Sequence, residues 1–384
     1  TAQSVGFNNP WRPTSSDGFM CVPPIDNDGA LAPAGSPGMY IAFNDDGSGG
    51  GTDQLWIYEL TVDWTNPTAS TFTRTQQIDV LPFSSFFDNN WNNIEQKGTS
   101  QRLDGIPQVI MNVPQYRNFG SYQTIVCCHT VNTNGVRLAG IRWYELRKTG
   151  STWSLRQQGT YAPDIHSRWM GSIMLNGSNE LALGYSISST SMYPSIRYCG
   201  QSAAAYASAN GIMDIAEDSI FMATNSQTGV NRWGDYSQMS VDPADDKTFW
   251  FTDQYGGNRK TRIASFKFNI PPTAVTDTAD LITYYSANLN GSINPNGLPT
   301  SFFFRYGTSP FGMTDSTAVD TAGSGITPVN VTAPVSGLLA GTKYYFRIFA
   351  SNIGGNASGS NLNFTTLEAP FLSVTPPSRN VPAW

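Results

Sequence analysis

Three arginines open similar stretches of this chain, Arg102, Arg168 and Arg232, and the last two are each followed by tryptophan. The planar guanidinium fork grips a carboxylate through two parallel hydrogen bonds. Three such residues converging on one point would suit a carboxylated sugar. Asp235, three residues past Arg232, would be the acid of that site. Hydrolysis of such a sugar by a tyrosine nucleophile would also need a partner carboxylate. Tyr144 and Glu145 are adjacent, and neighbours in a strand point to opposite faces, so the two cannot act together. The competing reading is structural: Arg and Trp at matching places stack cation on ring and lock one repeat to the next. Residues that recur with a repeat usually serve the repeat, so this reading is preferred to catalysis.

Other chemistries have less behind them. The two histidines, His129 and His166, have no zinc-ligand spacing and no Gly-x-Ser-x-Gly elbow to serve. His129, inside an apolar run, reads as a core residue. Asp45-Asp46 and Asp245-Asp246 are turn residues before they are glycosidase acids. Asp26-Asn27-Asp28-Gly29 offers clustered oxygens, with Asp26 and Asp28 as weak calcium candidates, but lacks the closing glutamate of a twelve-residue loop. The glycine-rich stretch 45–52 lacks the Gly-Lys-Ser/Thr end of a phosphate loop. No other cofactor is implied. Phe86, Phe87 and Trp91 lie on a polar loop and are candidates to grip a glycan, or else to plug a core. Four cysteines, Cys21, Cys127, Cys128 and Cys199, allow one or two disulfides, with Cys127 and Cys128 facing apart.

The elements that must position these residues are strands. Arg232 to Phe268 reads as a four-stranded meander, with runs at 236–241, 248–252 and 261–268 between turns of Asp, Pro, Gly and Asn. A similar pattern starts at Arg168, and a looser one at Arg102, the three openings lying 66 and 64 residues apart. Further strands are expected at 39–44, 55–62, 71–80, 109–113, 124–130, 138–147 and 153–161, while 201–223 breaks the pattern. A repeat of this size, all strand and turn, predicts β-propeller blades, about four of them, over residues 1–270. Residues 271–367 carry short strand runs, including 281–287, 300–306, 329–333, 343–350 and 362–365, at the spacing of an immunoglobulin-like sandwich. Residues 368–384 are Pro-rich and extended. Phe371, Leu372 and Val374 there read as a lone strand able to pair with a neighbour's sheet.

Composition agrees with an all-β, turn-rich chain: 384 residues with 36 Gly, 24 Pro and only 13% charged residues. A net charge of −6 without a basic block argues against nucleic acid, and no apolar run is long enough to span a membrane. The first residue is Thr1, which reads as a processed or truncated chain.

Two resemblances follow from particular residues. Leu338-Leu339-Ala340-Gly341-Thr342-Lys343-Tyr344-Tyr345 resembles the turn and tyrosine pair of fibronectin type III domains. Gly140-Ile141-Arg142-Trp143-Tyr144-Glu145-Leu146, Arg168-Trp169-Met170-Gly171-Ser172 and Asn231-Arg232-Trp233-Gly234-Asp235-Tyr236, with Arg117-Asn118-Phe119-Gly120 and Gln158-Gly159-Thr160-Tyr161-Ala162-Pro163, look like a family of secreted bacterial propeller-like proteins, distantly similar to sialidases and frequent in Bacteroidetes. The resemblance covers roughly residues 20–268; family members have more propeller before that point. It implies secretion to the cell surface, and O-glycosylation at Thr278, Ser316 and Thr321, each in an Asp-Ser/Thr-small triplet. The expected function is non-enzymatic and structural: adhesion, or head-to-tail assembly with itself or neighbouring surface proteins. A lectin-like glycan binder is the second expectation. A sialidase-like hydrolase using Arg168, Arg232 and Asp235 is the third.

Overall fold

The computed structural model describes residues 6–7, 21–49, 51–87, 92–257 and 259–370. The chain divides into two units, Thr1–Phe268 and Asn269–Trp384. Among the described residues both are all-β, apart from a four-residue helix α1 (Asp46–Gly49), a six-residue helix α2 (Ala203–Ser208) and a 3-10 turn, Pro67–Ala69, in the first unit.

In the first unit, β1 (Asp26–Asp28) precedes a meander of β2 (Gly38–Asn44), β3 (Gln54–Thr61) and β4 (Thr71–Asp79). A second sheet holds β5 (Gln115–Asn118), β6 (Gln123–Asn132), β7 (Ala139–Lys148) and β8 (Ser154–Tyr161), with β1 added parallel along β5. A third holds β9 (Ser167–Leu175), β10 (Leu181–Ser189), β11 (Met192–Gln201) and β12 (Ile215–Phe221). A fourth holds β13 (Gln238–Val241), β14 (Phe249–Tyr255) and β15 (Lys260–Phe266). Within each sheet consecutive strands pair antiparallel, as Gly, Asn and Asp turns permit.

Strands β6, β7, β9 and β10 are buried almost throughout, because both of their faces meet other sheets. Cys127 and Cys128 display the consequence of that pleat. Cys127 points into a core shared by the first two sheets with Ile41, Ile57 and Tyr144; Cys128 points into a larger core with Trp143, Trp169 and Trp233. None of the four cysteines is bonded, so the one or two disulfides that the sequence allows are absent among the described residues.

In the second unit, β16 (Thr273–Asp280), β17 (Ser286–Asn294), β18 (Thr300–Gly307), β19 (Asp315–Ser316), β20 (Asp320–Gly323), β21 (Val329–Ser336), β22 (Lys343–Asn352), β23 (Gly355–Ser358) and β24 (Leu362–Thr365) form two sheets. β16, β17 and β21 make one; the others gather around β18 and β22. Alternation along β17 and β22 sends Leu289, Phe346 and Ile348 into a single core. The Tyr344 hydroxyl accepts a hydrogen bond from the Leu339 amide at 3.0 Å, closing the turn before β22 on itself.

Three expected strands differ. The meander from Arg232 has three strands, not four, since Gly234 and Asp235 take positive φ and bend the chain before β13. Residues 109–113 are irregular, and their apolar side chains pack as loop into the core. Residues 281–285 form a turn rather than a strand start, with Leu281 at φ 46° and 74% exposed.

Candidate functional site

The three arginines do not converge. Arg102 lies on a loop and pairs with Glu95 at 3.1 Å. Arg168, on β9, is fully buried: its guanidinium meets Asp164 and Glu217, each at 2.8 Å, and stands over the rings of Tyr161 and Tyr185. Glu217 also accepts from Arg197 and from the Tyr185 hydroxyl. Burial pushes the Glu217 carboxyl up, but the bonds from Arg168, Tyr185 and Arg197 outweigh it and hold it below the usual range. Arg168 thus ties β8, β9, β10 and β12 together. Glu145 on β7 has a similar place, buried and bonded to Arg147, Arg156, Gln157 and Tyr206.

Arg232 opens on an apolar-walled cavity. Its Nε stands 2.6 Å from Asp235 Oδ1, an ion pair set off the hydrogen-bonding line, so that oxygen meets charge without a directed donor. Arg232, Asp235 and Tyr236 border a cavity of about 120 Å³ whose other wall is Ile106, Met111 and Asn112. Two wall residues are strained: Ile106 at φ 40° and Asp235 at φ 62°. Such a conformation in a β-branched residue costs energy that the surroundings must supply. Asp104 lies behind Ile106, 2% exposed, accepting from the Ile106 amide at 2.9 Å. Burial raises it to about 6, against the pull of that amide and of Arg232. Its backbone amide donates to the Asn231 carbonyl, which draws the 92–106 loop to the start of the fourth sheet. A second buried acid, Asp253 on β14, is bonded by Ser186 Oγ at 2.6 Å and raised by burial to about 7.

The other candidates are distributed elsewhere. Phe87 is a core residue, 7% exposed, and Phe86 is half-buried. Trp91, like Phe371, Leu372 and Val374, lies outside the described residues. A larger polar cleft of about 540 Å³ is lined by Glu95, Gln101, Arg102 and Thr190. Asp26 and Asp28 sit on β1, where Asp28 accepts from Gln115 at 2.7 Å. Another acidic group meets in space: Asp45, Asp46 and Asp53 bring oxygens within 4.8 Å of one another. Oxygens of that kind suit a hard cation, but the buried pair already accepts from backbone. Asp45 takes the Gly47 and Ser85 amides, and Asp53 takes those of Asp46 and Phe83. His129 is buried between Phe43 and Tyr144, and burial depresses it to about 3. His166 bonds Ser189 at 2.9 Å. Thr278, Ser316 and Thr321 are exposed on strands of the second unit.

Sequence reasoning passed over Asp104 and Asp253. Nothing in their local pattern separates them from turn or strand aspartates, since their burial depends on neighbours far along the chain.

No family model matches the chain, and no curated protein matches it. Among solved structures, the sensor domain of the anti-sigma factor RsgI4 of Pseudobacteroides cellulosolvens is 20% identical over 26% of this chain and 97% of its own, at TM-score 0.22. The chicken CNTN1 FN1-FN3 domains are 10% identical over 65% of this chain and 95% of theirs, at TM-score 0.21. Sucrose-6-phosphate hydrolase from Lactobacillus gasseri is 9% identical over 90% of this chain and 74% of its own, at TM-score 0.30. None of these superpositions is close, and the architecture rests on the sheets themselves.

Proposed function

We propose that this chain is a non-catalytic extracellular protein that binds or adheres, with a propeller-like first unit of four blades and a fibronectin type III-like second unit. One observation carries the reading. The charged side chains best placed for chemistry, Arg168, Glu217 and Glu145, are spent on internal ion pairs that join strands. Ion pairs of this kind hold the strands of one sheet together and leave Arg168 no free fork for a substrate. Glycan-array binding without turnover of any arrayed sugar is the expected result. Turnover of a glycoside would overturn it.

A second reading has its own support, the strained cavity beside Arg232. A glycoside hydrolase there would use Asp104, buried behind the Ile106 wall and raised to about 6, as acid and Asp235, which lines the cavity, as the second carboxyl. Loss of hydrolysis in both Asp104→Asn and Asp235→Asn would establish it; absence of hydrolysis in the wild type ends it. Self-association through 368–384 belongs to the first reading. Light scattering with and without those residues decides it: particles that persist after the deletion, or a monomer in both cases, remove the tail from the account.

A further inference from the structure

On the second unit stands a row of cations that no carboxylate among the described residues answers. β22 alternates, so Tyr344, Phe346, Ile348 and Ala350 enter the core while Lys343, Tyr345, Arg347 and Phe349 share the outer face. β18 pairs with it antiparallel, placing Phe303 opposite Phe349 and Arg305 opposite Arg347. The two phenyl rings stack, centroids 5.4 Å apart at 10°. Arg347 lies over the Phe349 ring at 4.6 Å and Arg305 over the same ring at 5.4 Å, while Lys343 lies over Tyr345 at 5.3 Å.

Like charges directly opposite across a strand pair are destabilising. Here no opposite charge offsets the cost: among the described residues neither arginine nor Lys343 has a salt bridge, and none of the three side chains donates a hydrogen bond. The contrast is with Arg117, Arg142, Arg156 and Arg168 of the first unit, all engaged with protein oxygens. Side chains facing Lys343, Tyr345 and Phe349 on the next strands are Thr365, Asn363 and Ser358, and Ser316 faces Arg305; none is acidic. The rings hold the guanidinium planes in place, so part of the ordering cost of a grip is met before any ligand arrives.

We infer that the outer face of β18 and β22 binds a linear acidic polysaccharide, its carboxylate or sulfate groups held by Arg305 and Arg347 and its next charge by Lys343. This names a ligand class for the binding reading above and rests on that reading. Three features select the occupant. The guanidinium forks match carboxylate and sulfate oxygens in pairs. The cations run along one strand, Lys343 and Arg347 four residues or about 13 Å apart, which suits a ligand that extends in one direction. The ring faces are already covered by guanidinium, which removes the platform that unpaired bases would need.

The test uses the full chain and two immobilised probes, heparin and polygalacturonate, with dextran as the neutral control. Wild type is expected to bind an acidic probe and not dextran, to elute earlier as salt rises, and to lose at least about tenfold in affinity as Arg305→Gln/Arg347→Gln. The double Lys variant, R305K/R347K, keeps the charge and loses the fork; it is expected to fall between. Should the Gln variant not fold, phenylglyoxal labelling of wild type read by mass spectrometry substitutes for it, with both arginines protected by bound probe. Absence of acidic-probe binding, equal binding by the Gln variant, or labelling unchanged by probe would overturn the inference. So would tighter, equally arginine-dependent binding to single-stranded DNA or to anionic vesicles. Neutral-glycan binding with no response to these probes would sink this inference and leave the binding reading standing, whereas glycoside turnover with an intact arginine response would do the reverse.

Discussion

Trp169 and Trp233, which follow equivalent arginines in successive repeats, meet in the core with ring centroids 5.8 Å apart and planes tilted by 54°. Both are fully buried, and Trp233 Nε1 donates to Ser186 Oγ at 2.9 Å. The two tryptophans therefore join the third sheet to the segment that leads into the fourth.

Trp233→Ala is expected to cost about 3–5 kcal/mol of unfolding free energy. A double-mutant cycle with Trp169→Ala should leave about 0.5–1.5 kcal/mol of coupling between the rings. Urea unfolding of the four proteins measures both, and strictly additive losses would show that the rings only share a core.

Glu217→Gln should be similarly damaging for a different reason. It keeps the volume but leaves Arg168, wholly buried, with Asp164 as its remaining charge partner. Removing one of the two carboxylates that pair a fully buried cation makes a loss of about 3 kcal/mol the expected outcome. A denaturation midpoint within experimental error of wild type would show that water reaches this site.

Two buried groups pull stability with pH in opposite senses. Asp253, raised from 3.8 to about 7, keeps its proton in the folded state after the unfolded chain has lost it. It contributes stability below about pH 4 that is lost as pH rises through about 7, on the order of 4 kcal/mol. His129, depressed from 6.5 to about 3, refuses a proton that the unfolded chain accepts, so stability falls as pH drops from about 6.5 toward 3. Between pH 4 and 7 these two contributions largely offset each other, and Asp104, raised to about 6, adds to the Asp253 side, so relative to wild type Asp253→Asn should lose stability on acidification. Thermal unfolding across that range reads the difference, and parallel curves would remove Asp253 from the account.

Gly159 and Gly211 mark where β8 meets the segment after α2. A Cβ on Gly159 would overlap the Gly211 carbonyl, and backbone cannot swing aside as a flexible side chain can. Gly159→Ala should cost about 3 kcal/mol; tolerance of it would mean that the 209–214 segment moves.

Much of the second unit was legible because its evidence is local. Alternation along β22 and the turn before Tyr344 can be read residue by residue, and the Leu339–Tyr344 bond follows from them. Leu281 misled because an apolar residue at a turn looks like the start of a strand. In the first unit the repeat of Arg and Trp was legible, and so was the three-residue spacing of Arg232 and Asp235. The partners that decide their roles were not. Glu217 reaches Arg168 from 49 residues away, and Asp104 is held by its own amide's bond to the Asn231 carbonyl, far along the chain. Arg305 and Arg347 acquire meaning only once antiparallel register sets them face to face.

The pairing of β1 with β5 also governs the order in which the chain can fold. Asp28 and Gln115, 87 residues apart, are bonded, and the whole first sheet lies between them in the sequence. During synthesis β1 emerges before β5, and the first meander emerges between them while its core face still lacks the second sheet. A nascent chain halted before residue 115 would hold β1 beside β2 through the Pro24–Tyr40 bridge, without its parallel partner.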